Sequence, residues 1–160
     1  PEKGLDLLLD AWQRHPDGEL GSLTIVGDGP LRPLAERAAG SRGDVTFTGP
    51  RDRAGVAGAL RAAAVVLATS TWDDVLPTVI GEALAAGRPV LGTNLGGIPY
   101  LVGDAGWVCL PDPAALAGAL PVAASEAAGR ALAARERYES HFTPKVVTAR
   151  LLDIYASVAR

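Results

Sequence analysis

Short apolar runs alternate with amphipathic segments along the whole chain. Runs rich in Val, Leu and Ile predict buried strands at 23–27, 45–49, 64–70, 89–93 and 106–110. Apolar residues at helical spacing predict helices at 4–12, 31–39, 56–63, 78–86, 96–102, 113–120, 125–139 and 144–159. Because right-handed crossovers place helices over both faces of a parallel sheet, this order predicts an α/β fold. The expected architecture is an open Rossmann-like parallel sheet with helices on both faces.

Several helix ends carry their own signals. Asp112 and Pro113 predict an N-cap and a first-turn proline, and Gly87 predicts a left-handed residue just past a helix end. Pro30 is expected in the first turn of the helix that follows the first strand. The 160 residues are enough for one folding unit with a sizeable core, and they are few for two.

Composition and charge narrow the classes of partner. The net charge of −3 leaves no basic face of the kind that nucleic acid or an anionic membrane requires. No stretch approaches the length of a transmembrane helix, and no signal-peptide pattern is found, so we expect a cytoplasmic protein. The single Cys109 lies in an apolar run and is interpreted as a small buried hydrophobe. With only His15 and His141 besides, no metal cluster is expected.

Candidate binding residues follow the predicted strands. Gly27 and Gly29 come directly after the first strand, Thr48 and Gly49 close the second, and further loops follow at 70–77 and 94–97. In open parallel sheets the carboxyl ends of the strands share one rim, which is where ligands bind. The glycines fit a tight turn equally well. The chain lacks the GxGxxG, GxxxxGK[ST] and GxSxG motifs, which disfavours hydride transfer, P-loop chemistry and a serine hydrolase.

Two features at this rim favour an anionic ligand. The helix predicted to begin near Thr78 offers unpaired backbone N–H groups and a partial positive charge, which together can hold a phosphate. Lys3 stands at the front of the first helix, where a cation opposes the helix dipole unless an anion lies nearby. The alternative is an exposed lysine at a frayed helix start.

Two acids flank the start of the same helix. Asp74 precedes it in the loop, and Glu82 follows Thr78 by four positions on one helical face. Each carboxylate can accept hydrogen bonds from two hydroxyls, as a sugar or ribose diol would offer. The alternatives are a solvated loop acid for Asp74 and a favourable helix-front charge for Glu82.

The order KGLDLLLDAW, VGDGP, TFTG, STWDDVLPTVIGEALAAGRPVLGTNLGGIP and DPAALAGAL resembles the donor-binding C-terminal half of group 1 retaining glycosyltransferases of the GT-B fold. The resemblance covers nearly the whole chain, and its most specific part is an acid and a Glu separated by seven residues. It implies a domain over 1–160 that binds a nucleoside-diphosphate sugar without a metal or other cofactor. It also implies a preceding first strand and an N-terminal acceptor-binding domain, neither of which lies in this sequence.

The resemblance implies a role for each candidate residue. Glu82 would bind the ribose hydroxyls, Asp74 the hydroxyls of the donor sugar, and Lys3 the diphosphate. Backbone amides of Val75, Leu76, Pro77, Thr78 and Val79 would face sugar and phosphate as far as each carries an N–H, with the 48–49 loop near the base. Lys3, Asp74 and Glu82 are the expected catalytic residues.

The sequence departs from the family pattern at two positions. Asp74 stands where the family usually has Glu, and Tyr100 stands where Glu usually follows GGIP. The family's second phosphate ligand, an arginine, belongs to the implied preceding segment, so this chain alone is expected to be inactive. Three alternatives stay open: a degenerate nucleotide-sugar-binding domain, a nucleotide-sugar epimerase of the same fold, and a plain structural α/β module without nucleotide affinity. The acceptor is not predicted, and membrane attachment is expected only peripherally, through the other domain.

Overall fold

The computed structural model describes residues 2–159, in which strands alternate with helices as the apolar pattern predicts. The strands are β1 (Leu23–Ile25), β2 (Val45–Phe47), β3 (Val66–Ala68), β4 (Val90–Thr93) and β5 (Trp107–Cys109). The helices are α1 (Leu5–Trp12), α2 (Arg32–Ser41), α3 (Arg53–Ala62), α4 (Thr78–Ala85), α5 (Ile98–Val102), α6 (Pro113–His141) and α7 (Pro144–Val158). The predicted α/β class is confirmed.

All strand pairs are parallel, and they fall into two groups. β1 pairs with β2, and β4 lies between β3 and β5. A cavity of about 1180 Å³ is lined by residues of both β1 and β3, the edge strands of the two groups. Side chains on these edges are only partly covered, as at Ile25 and Leu67. The two groups therefore face each other across this cavity.

Helix α6 joins the two groups. Its first half packs with α1, β1, β2 and Leu91 of β4 in one core cluster through Leu116, Leu120 and Ala123. Further along, Ala134 belongs to a second cluster with α4, α5, β3 and β4. The same 29-residue helix therefore contributes to both cores.

The continuity of α6 corrects the prediction of two helices, at 113–120 and 125–139. Pro121 lies inside the helix and has no N–H to donate to the carbonyl of Ala117. The His15 ring lies beside that carbonyl, with Nε2 2.9 Å from the Ala117 oxygen. His15 therefore supplies the bond that the proline cannot make, in the tautomer that carries the proton on Nε2. Packing of Ala123 and Ala127 in the core continues the helix beyond the proline.

The variant His15→Ala is expected to lower the free energy of unfolding by about 1–2 kcal/mol, because a carbonyl inside the helix loses its donor. Urea unfolding followed by circular dichroism measures this change. In the described part of the chain, the His141 ring is hydrogen-bonded to the neighbouring Ser140 hydroxyl and to no helix carbonyl, so His141→Ala serves as the control. Equal, small losses in both variants would show that His15 does not support α6.

Most helix-end signals are as predicted. The Asp112 carboxylate accepts from the N–H groups of Ala114 and Ala115, and Gly87 has a φ of 68°. The interpretation of Pro30 as a first-turn residue is wrong, because α2 begins at Arg32 after a turn closed by the bond from Arg32 N–H to the Gly29 carbonyl. Within residues 2–159, no helix has the combination of length and hydropathy needed to cross a bilayer.

Candidate functional site

The two glycine loops lie together at the carboxyl ends of β1 and β2. Gly27 N–H donates to the carbonyl of Gly49 at 3.0 Å, and Thr48 N–H donates to the carbonyl of Ile25 at 3.0 Å. Gly27 and Gly49 have φ values of 131° and 65°, which a side chain rarely tolerates. Gly29 N–H is bound by the carboxylate of Asp28 at 2.8 Å. The loops that the sequence marked after β1 and β2 therefore form one surface.

The segment before α1 is fixed against the end of β3. Thr71 N–H donates to the carbonyl of Glu2 at 3.0 Å, and the Thr69 hydroxyl donates to the carbonyls of Lys3 and Gly4 at 3.2 Å. Gly4 has a φ of 65°, and a Cβ there would lie 1.9 Å from the Thr69 carbonyl oxygen. These contacts place Lys3 at the same rim as the glycine loops.

Lys3 and Asp74 form an ion pair, in which Nζ donates to the carboxylate Oδ2. The side chain of Lys3 is 72% exposed, whereas that of Asp74 is 11% exposed. The sequence predicted both residues for the site but did not predict contact between them. The Lys3 ammonium is therefore exposed to solvent, while the Asp74 carboxylate that binds it is nearly buried.

A pair of glycines supports the loop that carries Asp74. Gly97 N–H donates to the carbonyl of Asp74 at 2.9 Å, and Gly96 N–H donates to Asp73 Oδ1 at 3.1 Å. A Cβ on Gly97 would lie 2.0 Å from the Val75 carbonyl oxygen, so no side chain fits. The sequence predicted that the loop at 94–97 shares a rim with the loop at 70–77, but it did not predict these contacts between the glycines and residues 73–75.

Helix α4 begins directly after this loop. Val75 and Leu76 are strongly exposed, Pro77 is buried as the residue before the helix, and Thr78 and Val79 open its first turn on the surface. These positions lie at a helix N-terminus, where the first N–H groups have no partner within the helix.

Glu82 lies one turn into α4 and is exposed. Among residues 2–159, no hydrogen bond or ion pair is found for its carboxylate. The side chain is therefore available to a ligand.

The cavity between the strand groups opens onto part of this rim. Its lining includes Lys3, Gly27, Gly29 and Val79. Asp74, Glu82 and the residues 48–49 and 75–78 lie outside the lining. The structure thus brings Lys3 into one space with the first glycine loop and the start of α4, whereas Asp74, the ion-pair partner of Lys3, does not line that space.

The comparisons with known proteins concern the family and the fold. A family profile described as "Glycosyl transferases group 1" matches residues 1–126. The chain belongs to this family. The sequence-based resemblance to group 1 glycosyltransferases is thereby confirmed.

Curated relatives of this group 1 domain are longer proteins. The phosphatidyl-myo-inositol mannosyltransferase of Mycobacterium tuberculosis is 31% identical over 172 residues, which cover 99% of this chain and 45% of the relative. The protein of the same name from Mycobacterium leprae is 33% identical over 173 residues, covering 99% and 44%. The domain thus spans less than half the length of these relatives.

Solved structures share the fold. The Anabaena protein HepE in complex with UDP aligns with a TM-score of 0.81 at 24% identity, covering 98% of this chain and 46% of HepE. Sucrose-phosphate synthase from Thermosynechococcus elongatus aligns with a TM-score of 0.80 at 26% identity, covering 98% and 42%. These likenesses confirm the predicted GT-B half.

The most perturbed acid of the group 1 domain lies away from this rim. Asp44 precedes β2 and accepts hydrogen bonds from the Arg42 guanidinium, the Trp12 indole and Gly18 N–H. The bond from Arg42 chiefly holds the pKa of the Asp44 carboxyl far below its usual range, against the opposing effect of burial. Because ligands bind at the carboxyl ends of the strands, we interpret Asp44 as a structural tie between α1 and β2.

Cys109, at the end of β5, is half-buried and packs against the first core cluster. Burial raises the pKa of its thiol, which disfavours the reactive thiolate. Among residues 2–159, no group of three or more His, Cys, Asp or Glu side chains could hold a metal ion.

Proposed function

We propose that this domain is the donor-binding half of a retaining glycosyltransferase. It binds a nucleoside-diphosphate sugar, from which the sugar is transferred to an acceptor held by another domain. The observation that carries the proposal is the meeting of Lys3, the glycine loop at 27–29 and the first turn of α4 around one cavity. In a chain of this family, a cation and a helix N-terminus at one rim suit a diphosphate.

The diphosphate is the group that gains negative charge when the sugar departs. Lys3 and the first N–H groups of α4 are preorganised to stabilise that charge, which lowers the barrier without rearrangement. In this scheme they take the place of a divalent cation, so the reaction proceeds without a metal.

In this proposal, the remaining residues each contact a different part of the donor. Glu82 accepts hydrogen bonds from the two ribose hydroxyls, as its exposed and unpaired carboxylate allows. The loop of Thr48 and Gly49 lies near the base, and Asp74 with the amides of 75–79 lies on the sugar side. The diphosphate between them rests against Lys3.

The names of the relatives and of the solved structures guide the choice of sugar and base to test. The relatives at 31% and 33% identity are named mannosyltransferases, and HepE was crystallised with UDP. We propose a hexose as the transferred sugar, and UDP, GDP and ADP as the nucleotides to titrate. The protein is proposed to work in the cytoplasm, attached to a membrane, if at all, through its other domain.

We further propose that a segment preceding residue 1 adds a strand between β1 and β3. The two edges line one cavity, and the carbonyl of Glu2 is bound to Thr71 N–H at the carboxyl end of β3. A segment entering from Glu2 would therefore run along both edges in the parallel direction and join the two strand groups into one sheet. It would fill the part of the cavity between the edges and leave the rim with Lys3 and Gly27 open to the ligand. The acceptor-binding domain would come before this strand.

Glu82→Ala is the experiment that tests the proposed function. The variant should bind the nucleotide more weakly by about 1.5–3 kcal/mol, because charge-assisted bonds to the ribose are lost. Isothermal titration calorimetry of the full-length protein with UDP, GDP and ADP measures the change and identifies the base. The melting temperature should stay nearly constant, since the Glu82 side chain has no partner in residues 2–159.

Glu136→Ala is the matched control, because Glu136 is likewise an exposed helical glutamate without an ion pair in the described residues. It should leave nucleotide affinity unchanged. Unaltered affinity in Glu82→Ala would remove Glu82 from the site. A folded wild-type protein that binds none of the three nucleotides would refute the donor-binding function itself.

A further inference from the structure

Hydrogen bonds fix the backbone of both partners in the ion pair between Lys3 and Asp74. On the lysine side, Thr69 and Thr71 hold residues 2–4 through three carbonyl groups. On the aspartate side, Gly97 N–H holds the Asp74 carbonyl. Surface ion pairs usually spend side-chain entropy to form and contribute little. This pair starts from two fixed backbones, so that its main effect is on where the ammonium lies.

The exposure of the two side chains shows which one directs the other. The Asp74 carboxylate is 11% exposed and lies in a loop that admits no side chain at Gly97, whereas Lys3 is 72% exposed. Lysine has several rotatable bonds and would otherwise sample many positions. The fixed carboxylate therefore anchors a mobile cation.

The contact with Asp74 leaves the Lys3 ammonium able to bind a ligand. An ammonium has three N–H donors, and Asp74 takes one of them. Lys3 lines the cavity at the rim, while Asp74 does not. An anion at this rim would thus contact the Lys3 ammonium directly and would be separated by it from the Asp74 carboxylate.

We propose that Asp74 is a positioning residue that holds the ammonium of Lys3 at the diphosphate site. The proposal rests on the proposed donor-binding function and deepens it. The carboxylate then contributes to the binding of a nucleoside diphosphate before any sugar is present. This role differs from direct contact with sugar hydroxyls, which requires a sugar on the ligand.

A double-mutant cycle tests the coupling. Wild type, Asp74→Asn, Lys3→Ala and the double variant are titrated in the full-length protein with the nucleoside, the nucleoside diphosphate and the nucleotide-sugar of the base that binds. Asp74→Asn should weaken diphosphate binding about tenfold and leave nucleoside binding unchanged. In the Lys3→Ala background, the same change should have almost no further effect on the diphosphate, because the cation to be positioned is gone.

Two further variants separate positioning from charge and from folding. Asp73→Asn removes an equal charge one residue away and keeps the oxygen that accepts from Gly96 N–H, so diphosphate affinity should change less than twofold. Asp74→Glu restores the carboxylate and should recover part of the lost affinity. The melting temperatures of all variants show whether each one is folded.

Each contrary result is distinct. Loss of affinity for the nucleotide-sugar alone would make Asp74 a sugar ligand, and equal losses with and without Lys3 would make the two residues independent. Tighter diphosphate binding by Asp74→Asn would mean that Asp74 withholds Lys3 from the phosphate. Any of these overturns the positioning role while the donor-binding function stands. Absence of nucleotide binding by the wild type would overturn both.

Discussion

Full-length protein carrying Lys3→Ala should transfer sugar about 10²- to 10³-fold more slowly than the wild type, because the proposed function makes Lys3 the preorganised charge at the departing diphosphate. Affinity for the nucleoside diphosphate should fall, whereas affinity for the nucleoside should not. Steady-state kinetics with the nucleotide-sugar and calorimetry with both ligands measure the two effects. The selectivity follows from the position of Lys3 on the cavity beside the glycine loop at 27–29.

The chain offers a matched control at its only other lysine. Lys145 is exposed in the first turn of α7, as Lys3 stands at the front of α1, and it lies outside the candidate site. Lys145→Ala should leave the transfer rate within a factor of two. If Lys3→Ala weakened nucleoside and diphosphate binding equally, the lysine would not act on the phosphates.

Gly97→Ala should both destabilise the domain and abolish most nucleotide binding. Its Cβ would lie 2.0 Å from the Val75 carbonyl oxygen, so the 73–75 loop must shift. We expect a loss of roughly 3 kcal/mol in the free energy of unfolding, and a melting temperature lower by about 6–12 °C for a domain of this size. Differential scanning calorimetry and nucleotide titration on the same samples measure both effects.

A second glycine variant separates this contact from the general effect of adding a methyl group. A Cβ on Gly118, inside α6, would meet no atom within 4 Å. Gly118→Ala should therefore raise the stability by up to about 1 kcal/mol, since alanine favours a helix over glycine. If Gly97→Ala kept both its melting temperature and its affinity, the contact with Val75 would have no part in shaping the site.

The sequence predicted the elements well wherever local chemistry decides them. Strand and helix order follows from apolar periodicity, and the cap at Asp112 follows from a side chain that bonds within its own turn. The α/β class and the placement of loops after strands were therefore accessible. The continuity of α6 was not, because it depends on the core packing of Ala123 and Ala127 and on a bond between His15 and Ala117, 102 positions apart.

The candidate site shows the same division. Lys3, Asp74 and Glu82 were identified from their positions in motifs, and their binding roles stay predictions. The pairing of Lys3 with Asp74 joins residues 71 positions apart, and it exists because Thr69 holds one segment while Gly97 holds the other. No local sequence pattern indicates which group a lysine at this position will contact.

The long helix α6 has a consequence for how the molecule loses its structure. Two separate core clusters could each melt at a temperature of its own. Here Leu116 and Ala134 lie in different cores but on the same helix, so neither core can unfold without releasing its end of α6. Denaturation should accordingly be a single cooperative event.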